Sequence, residues 1–354
     1  MAAGASIVDH RGLQVLIDVL HSRGYRVLGP TAHDGAISMA EITDLEDLPV
    51  GVGDVQQPGS YRVRDRDDAA LFGYATPVQS AKPVLFPAEE LIWRGRRERD
   101  GFTIEPTGPE PDPVALLGVR SCDLAAIGIH DAVLADRQAA DPRYTARRAA
   151  TFIVAGTCAF PAGTCFCASM GTGPRPSGGY DLRLTELLQD GDHRFLVEAG
   201  TAAGEQVLTE LPGTAATAQD FTAADQVVAD ASARMGRDLD PDGLPDLLYA
   251  SAQSPRWDAV AQRCLACTNC TMVCPTCFCT SVEDVSDLTG DVDERHRVWD
   301  SCFSAEYSHV HGGAVRSSTA ARYRQWLTHK FGAWTEQFGM SGCVGCGRCI
   351  TWCP

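Results

Sequence analysis

Eight of the cysteines in this chain stand in two runs of the same spacing. Cys264, Cys267, Cys270 and Cys274 are followed by Pro275, and Cys343, Cys346, Cys349 and Cys353 are followed by Pro354. Intervals of two, two and three residues before a proline are the spacing of bacterial 4Fe-4S ligation. A cubane needs four thiolates that reach it from different directions. Three close cysteines on a tight loop wrap one side of it. The fourth, one helical turn on, points toward a neighbouring cluster while the proline turns the chain aside. The two runs are therefore expected to exchange fourth ligands. Cluster one takes Cys264, Cys267, Cys270 and Cys353; cluster two takes Cys274, Cys343, Cys346 and Cys349. Two such clusters facing each other move single electrons. Zinc is the alternative reading, but it favours paired C-x2-C elements across a long gap, and neither run has that form.

Seven further cysteines lack such spacing. Thr164-Cys-Phe-Cys-Ala-Ser169 and Thr276-Cys-Phe-Cys-Thr-Ser281 echo each other and single out Cys165, Cys167, Cys277 and Cys279; Cys122, Cys158 and Cys302 complete the set. Buried structural thiols are the ordinary reading of these. A third cluster is the sharper one, with Cys158, Cys165 and Cys167 as its ligands. His309 and His311 could pair on a metal, though loop histidines usually do not. Gly171–Gly179 lacks the G-x-G-x-x-G order and the P-loop lysine, so it reads as a turn-rich surface loop. No Ser/His/Asp or Cys/His set has a spacing that singles it out, and no catalytic residue is assigned.

The elements that must position the thiols fall into two blocks. Residues 1–250 read as a mixed α/β domain and 251–354 as a helical, ferredoxin-like dicluster domain, which makes the chain α+β. In the first block Asp9 caps a helix with Leu13, Leu16, Val19 and Leu20 on one face, and Gly24 closes it. Tyr25–Leu28 reads as a strand stopped by Gly29-Pro30, and Val114–Val119 as a continuous buried strand. Arg120–Asp123 then turns the chain into a helix, Leu124–Leu134, capped by Asp123. A helix at Asp141–Arg148 precedes a strand at Thr151–Ala155, and strands at Tyr180–Leu188 and His193–Glu198 flank a turn at Gln189–Asp192. Residues 201–263 are mostly helical. Between the cysteine runs, Ser318–Phe338 reads as one long helix ended by Gly339. Its stripe of Tyr323, Trp326, Leu327, Phe331, Trp334 and Phe338 reads as core packing.

The 354 residues include 46 Asp and Glu against 30 Lys and Arg, a net charge of −16. So acidic a chain argues against nucleic acid and anionic membrane as partners. The N-terminus has no signal-peptide pattern, and no window approaches the roughly 18–20 apolar residues of a membrane helix. Fifteen cysteines, odd in number and clustered in a chain of this length, do not fit the disulfide framework of a small secreted scaffold. Reduced thiols in such numbers point to the cytoplasm. Lys82 and Lys330 are the only lysines, a bias that reads as genome composition.

Three stretches, taken with both cysteine runs, resemble a known family. They are Leu117-Gly-Val-Arg-Ser-Cys-Asp-Leu-Ala-Ala-Ile127, Gly163-Thr-Cys-Phe-Cys-Ala-Ser-Met-Gly-Thr-Gly-Pro174 and Trp299-Asp-Ser-Cys-Phe-Ser304. The family is the beta subunit of cytosolic sulfhydrogenase-type NiFe hydrogenases, and the resemblance runs from about residue 60 to the end. It implies an electron-transfer subunit, non-catalytic in itself. Such a subunit passes electrons between the small and large hydrogenase subunits and an FAD- and NAD(P)H-binding subunit. The electron-delivering component of anaerobic sulfite reductases, which serves a sirohaem subunit, is similar in architecture and is the alternative. Carried over residue by residue, the resemblance adds no ligands beyond the eight cysteines. Family members continue past the point where this chain stops, so it also implies a truncated chain.

Overall fold

Val114–Arg120 is buried at every position, as its unbroken apolar run implies. A strand covered on both faces belongs inside a sheet. It pairs in parallel with Thr151–Gly156 on one side and with Arg26–Leu28 on the other. The first of these pairings needs a crossover, supplied by helices Ser121–Leu134 and Pro142–Ala149. The computed structural model, which describes residues 4–108, 111–135, 140–189 and 192–354, extends this into an eight-stranded mixed sheet. From edge to edge it runs Thr214–Ala215, Ala5–Val8, Asp192–Ala199, Leu182–Gln189, Thr151–Gly156, Val114–Arg120, Arg26–His33 and Ala36–Glu41. Helix His10–Ser22 packs on it, with Asp9 accepting from Gly12 N at 2.9 Å and Leu13, Leu16, Ile17 and Leu20 fully buried. The chain is α+β, as expected. No helix among the described residues is long and apolar enough to cross a membrane.

Four local expectations need correction. The strand at 26 continues through Gly29-Pro30 to His33. Its pairing with the central strand stops at Leu28, so the N–H that Pro30 lacks is not needed by that ladder. Helix Ser121–Leu134 starts before Asp123, with Arg120 as its N-cap, and the Asp123 carboxylate faces Arg348 instead. The helix expected at 318–338 is α over Thr319–Thr328, π over His329–Ala333 and α again over Trp334–Phe338. The segment between the cysteine runs is not wholly helical either. Thr280–Ser286 and Val292–Trp299 form a hairpin that joins Glu89–Glu98 and Gly101–Pro106 in a four-stranded antiparallel sheet. Polar hairpin strands of this kind have weak apolar periodicity, and their partner lies far away in sequence. Glu90 and Arg297 pair within this sheet and fasten it to the rest of the chain, Glu90 by meeting Arg147 and Arg297 by meeting Asp141. The turn expected at 189–192 has its centre outside the described residues.

Arg120 and Gly156 end the two central parallel strands at one edge of the sheet. The Arg120 guanidinium, 1% exposed, donates to the carbonyls of Phe72, Tyr74, Ala75 and Thr157. One buried cation thus ties three segments together into a platform at the carboxyl ends of the strands. That platform receives the second cysteine run.

Candidate metal centre

Each cysteine run turns on two left-handed residues, the second and fourth after its leading cysteine. They are Ala266 (φ 49°) and Thr268 (φ 66°) in the first run, and Gly345 (φ 64°) and Gly347 (φ 77°) in the second. The backbone therefore makes the same tight loop twice, with Ala266 N 3.4 Å from Cys264 Sγ and Gly345 N 3.5 Å from Cys343 Sγ. The short helices Asn269–Met272 and Arg348–Thr351 follow, and Cys274 and Cys353 lie just past them. A side chain at positive φ costs on the order of 1 kcal/mol. In the first loop Ala266 and Thr268 are half-buried on the edge of a cavity, beside Leu265, which is 73% exposed. The second lies on the Thr164–Cys167 segment. A Cβ at 345 would fall 2.7 Å from Cys167 N, and one at 347 would fall 2.6 Å from Thr164 O, so only glycine fits.

The loops close two adjoining cavities. Cys264, Cys267, Cys270 and Cys353 line one of about 230 Å³, and Cys274, Cys343, Cys346 and Cys349 line one of about 210 Å³. Cys349, Tyr323 and Trp326 line both and form the wall between them. Thiolate is the donor that iron–sulfur clusters take, and each cavity is lined by at least four cysteines, Cys349 being common to both. Among the described residues no three Cys, His, Asp or Glu side chains converge on a single-ion site. The quartets surround a volume rather than a point, which fits a polynuclear cluster.

The electrostatics differ between the sites. Burial pushes the Cys270 and Cys343 thiols up to about 12, and ligation would strip their protons. Cys274 moves the other way. A hydrogen bond from Cys277 and the Lys330 charge, working against burial, hold its thiol well below the ordinary cysteine value, and Cys277 is pushed up in turn. Burial alone would lower Lys330, yet the negative charge of Cys274, and that of Cys277 and Cys343 once ionised, outweighs it and raises the ammonium well above the ordinary lysine value. Lys82, buried beside it, is lowered by that burial.

Cys158, Cys165 and Cys167 lie buried beneath the second run rather than on either cavity. Cys165 Sγ reaches Cys346 O at 3.6 Å, Cys158 Sγ reaches Ala75 O at 4.0 Å, and Cys167 packs with Cys122, Trp334 and Val344. His309 and His311 are exposed around a small hairpin.

Residues 263–354 match the family described as a 4Fe-4S dicluster domain. Over 335 residues the chain is 31% identical to sulfhydrogenase 2 subunit beta of Pyrococcus furiosus, covering 93% of this chain and 88% of that relative. The chain belongs to the sulfhydrogenase beta-subunit family. It is an iron–sulfur electron-transfer subunit of an oxidoreductase.

The motifs that carry the beta-subunit resemblance have physical roles in this structure. The Gly163–Pro174 stretch is the saddle under the second loop, with Phe166 N donating to Gly345 O at 2.9 Å and Thr172 Oγ1 to Val344 O at 2.7 Å. Asp123 of the Arg-Ser-Cys-Asp stretch holds Arg348 in a two-pronged buried ion pair at 2.5 and 2.9 Å. Trp299 stacks on Lys82 at 3.6 Å, Ser301 bonds Thr271 at 2.7 Å, and Phe303 lines the first cavity. Sequence reasoning missed Tyr323 and Trp326 as cavity wall, because an aromatic stripe at helical spacing looks the same whether it faces a core or a cofactor.

Proposed function

We propose that this protein relays single electrons through two 4Fe-4S clusters. The relay joins the small and large subunits of a cytoplasmic NiFe hydrogenase to an FAD- and NAD(P)H-binding subunit. The observation that carries this reading is the pair of adjoining cavities, each lined by at least four cysteines and parted by Cys349, Tyr323 and Trp326. The ligand sets are the exchanged ones, Cys264, Cys267, Cys270 and Cys353 against Cys274, Cys343, Cys346 and Cys349. When bound, each cluster takes up and returns one electron with no bond made or broken. The chain's own residues hold the ligands and exclude water. Residues 251–354 supply the thiolates, and residues 1–250 seat the second run through Thr164–Cys167 and Asp123. Cys267 and Cys353 are exposed, so the first cluster lies where a partner's cofactor can approach.

Anaerobically purified chain should carry about eight irons and eight sulfides. Cys270→Ser should leave about four of each and stop transfer from the flavin subunit to the hydrogenase core. Unchanged transfer in that variant, or zinc with little sulfide after anaerobic reconstitution, overturns the reading. About twelve irons would add a third cluster at Cys158, Cys165 and Cys167. Nickel in a co-purifying chain supports the hydrogenase partner, whereas sirohaem there would move the assignment to a sulfite reductase.

A further inference from the structure

Lysine occupies only positions 82 and 330 of a chain in which Lys and Arg together number 30. Both lysines are nearly buried, at 5% and 6% exposure, and both are directed at Cys274. Lys82 Nζ donates to Cys274 O at 3.3 Å and lies 3.6 Å from the centre of the Trp299 ring. Lys330 Nζ donates to Thr276 Oγ1 at 2.7 Å, to Cys274 Sγ at 3.4 Å and to Gly342 O at 3.4 Å. Its three N–H bonds thus have three acceptors, and none is a carboxylate. A buried cation without a carboxylate partner is costly unless another negative charge compensates it. The π turn His329–Ala333 carries this residue, and such wide turns recur at functional sites. Its carbonyl is held by Gly342 N at 2.7 Å, next to the leading ligand of the second run.

We propose that Lys330 is a positioning residue that raises the reduction potential of the second cluster, the one held by Cys274, Cys343, Cys346 and Cys349. The proposal rests on the two-cluster reading above and adds to it a device that makes the clusters unequal. Reduction adds one electron to the cluster and moves no proton or bond. A fixed positive charge at a ligand sulfur, in a site with little water to screen it, stabilises the reduced form more than the oxidised one. Among the described residues that line the first cavity there is no buried cation. The charged side chain that lines it is Arg263, which is exposed and screened by solvent. Lys82 acts in the same direction but reaches a carbonyl instead of the sulfur.

The test is a dithionite redox titration of the full chain, followed by electron paramagnetic resonance, on protein first shown to hold eight irons. Lys330→Met should make the second cluster at least tenfold harder to reduce at fixed potential, about 59 mV for a one-electron couple. The first cluster should keep its midpoint. Lys330→Arg, which keeps the charge, should shift less than Lys330→Met, and Lys82→Met should also shift less. Eight irons with both midpoints unchanged in Lys330→Met overturn the proposal. So does a Lys330→Arg midpoint that falls as far as that of Lys330→Met, because packing and not charge would then be the cause. Loss of about four irons in both Lys330→Met and Lys330→Gln, with the fold intact by circular dichroism, would make this an assembly residue and likewise overturn a tuning role. Wild-type protein without eight irons sinks the two-cluster reading itself, which keeps the two failures apart.

Discussion

His130 is 1% exposed, with its ring set against Phe86, Tyr144 and Phe278 and its Nε2 without a partner. Burial, and then the Lys82 charge, lower its pKa to about 3. In the unfolded chain it titrates near 6.5, so the unfolded chain takes the proton first as pH falls. The stability that neutral His130 contributes is complete above pH 6.5. It is lost on descent toward pH 3, at about 1.4 kcal/mol per pH unit. The urea midpoint of wild type should therefore drop between pH 6.5 and 5, and His130→Gln should flatten that profile. A His130→Gln profile as steep as that of wild type places the acid sensitivity elsewhere. The residue scale also shows what sequence can and cannot display. Eight cysteines at repeated intervals announce thiolate ligation, because local spacing decides whether thiols can wrap a cluster. Lys330 is equally visible in the sequence, but its rarity reads as composition until the fold sets its ammonium against Cys274.

At the scale of elements, the two cluster loops share one backbone form and differ in what lies behind them. Ala266 and Thr268 take the left-handed positions in the half-buried first loop, and Gly345 and Gly347 take them where the Thr164–Cys167 segment presses close. Gly345→Ala should therefore cost about 1–3 kcal/mol in backbone strain alone, with a backbone collision added. The chain should fall from about eight irons to about four, because only the second loop is displaced. Eight irons retained in Gly345→Ala would show that the saddle can yield. The helix between the runs carries a related lesson. Its 3.6-residue stripe is legible, and Ser318 and Gly339 bound it as expected. The π turn at its middle is not legible, because it follows from the demand to bring Lys330 and its carbonyl to the second run. The hairpin Thr280–Trp299 is hidden for another reason, since its strands gain their stability from a partner at Glu89–Pro106.

At the scale of the molecule, Arg348 and Asp123 hold the second run on the eight-stranded sheet, with side chains 0% and 5% exposed. Arg348 also donates to Pro77 O at 3.0 Å. Removing one partner of such a pair strands a buried charge and costs about 3–5 kcal/mol. Asp123→Asn should lower the unfolding free energy by an amount of that order, read as a drop in the urea midpoint, and expose the junction near residue 348 to limited proteolysis. Asp284→Asn, in an exposed pair with Arg295, should leave the midpoint in place. Equal midpoints for Asp123→Asn and wild type would deny this pair its docking role. The sequence by itself determined the ligand type, the two loops, the buried parallel strands and the likeness to sulfhydrogenase beta subunits. Each of those is written in short-range spacing or in unbroken apolar runs. Only the tertiary structure shows which aromatic residues wall the cavities, what lies behind each cysteine loop and where the two buried lysines point. Those outcomes depend on contacts between segments separated by long stretches of chain, and no local pattern encodes them.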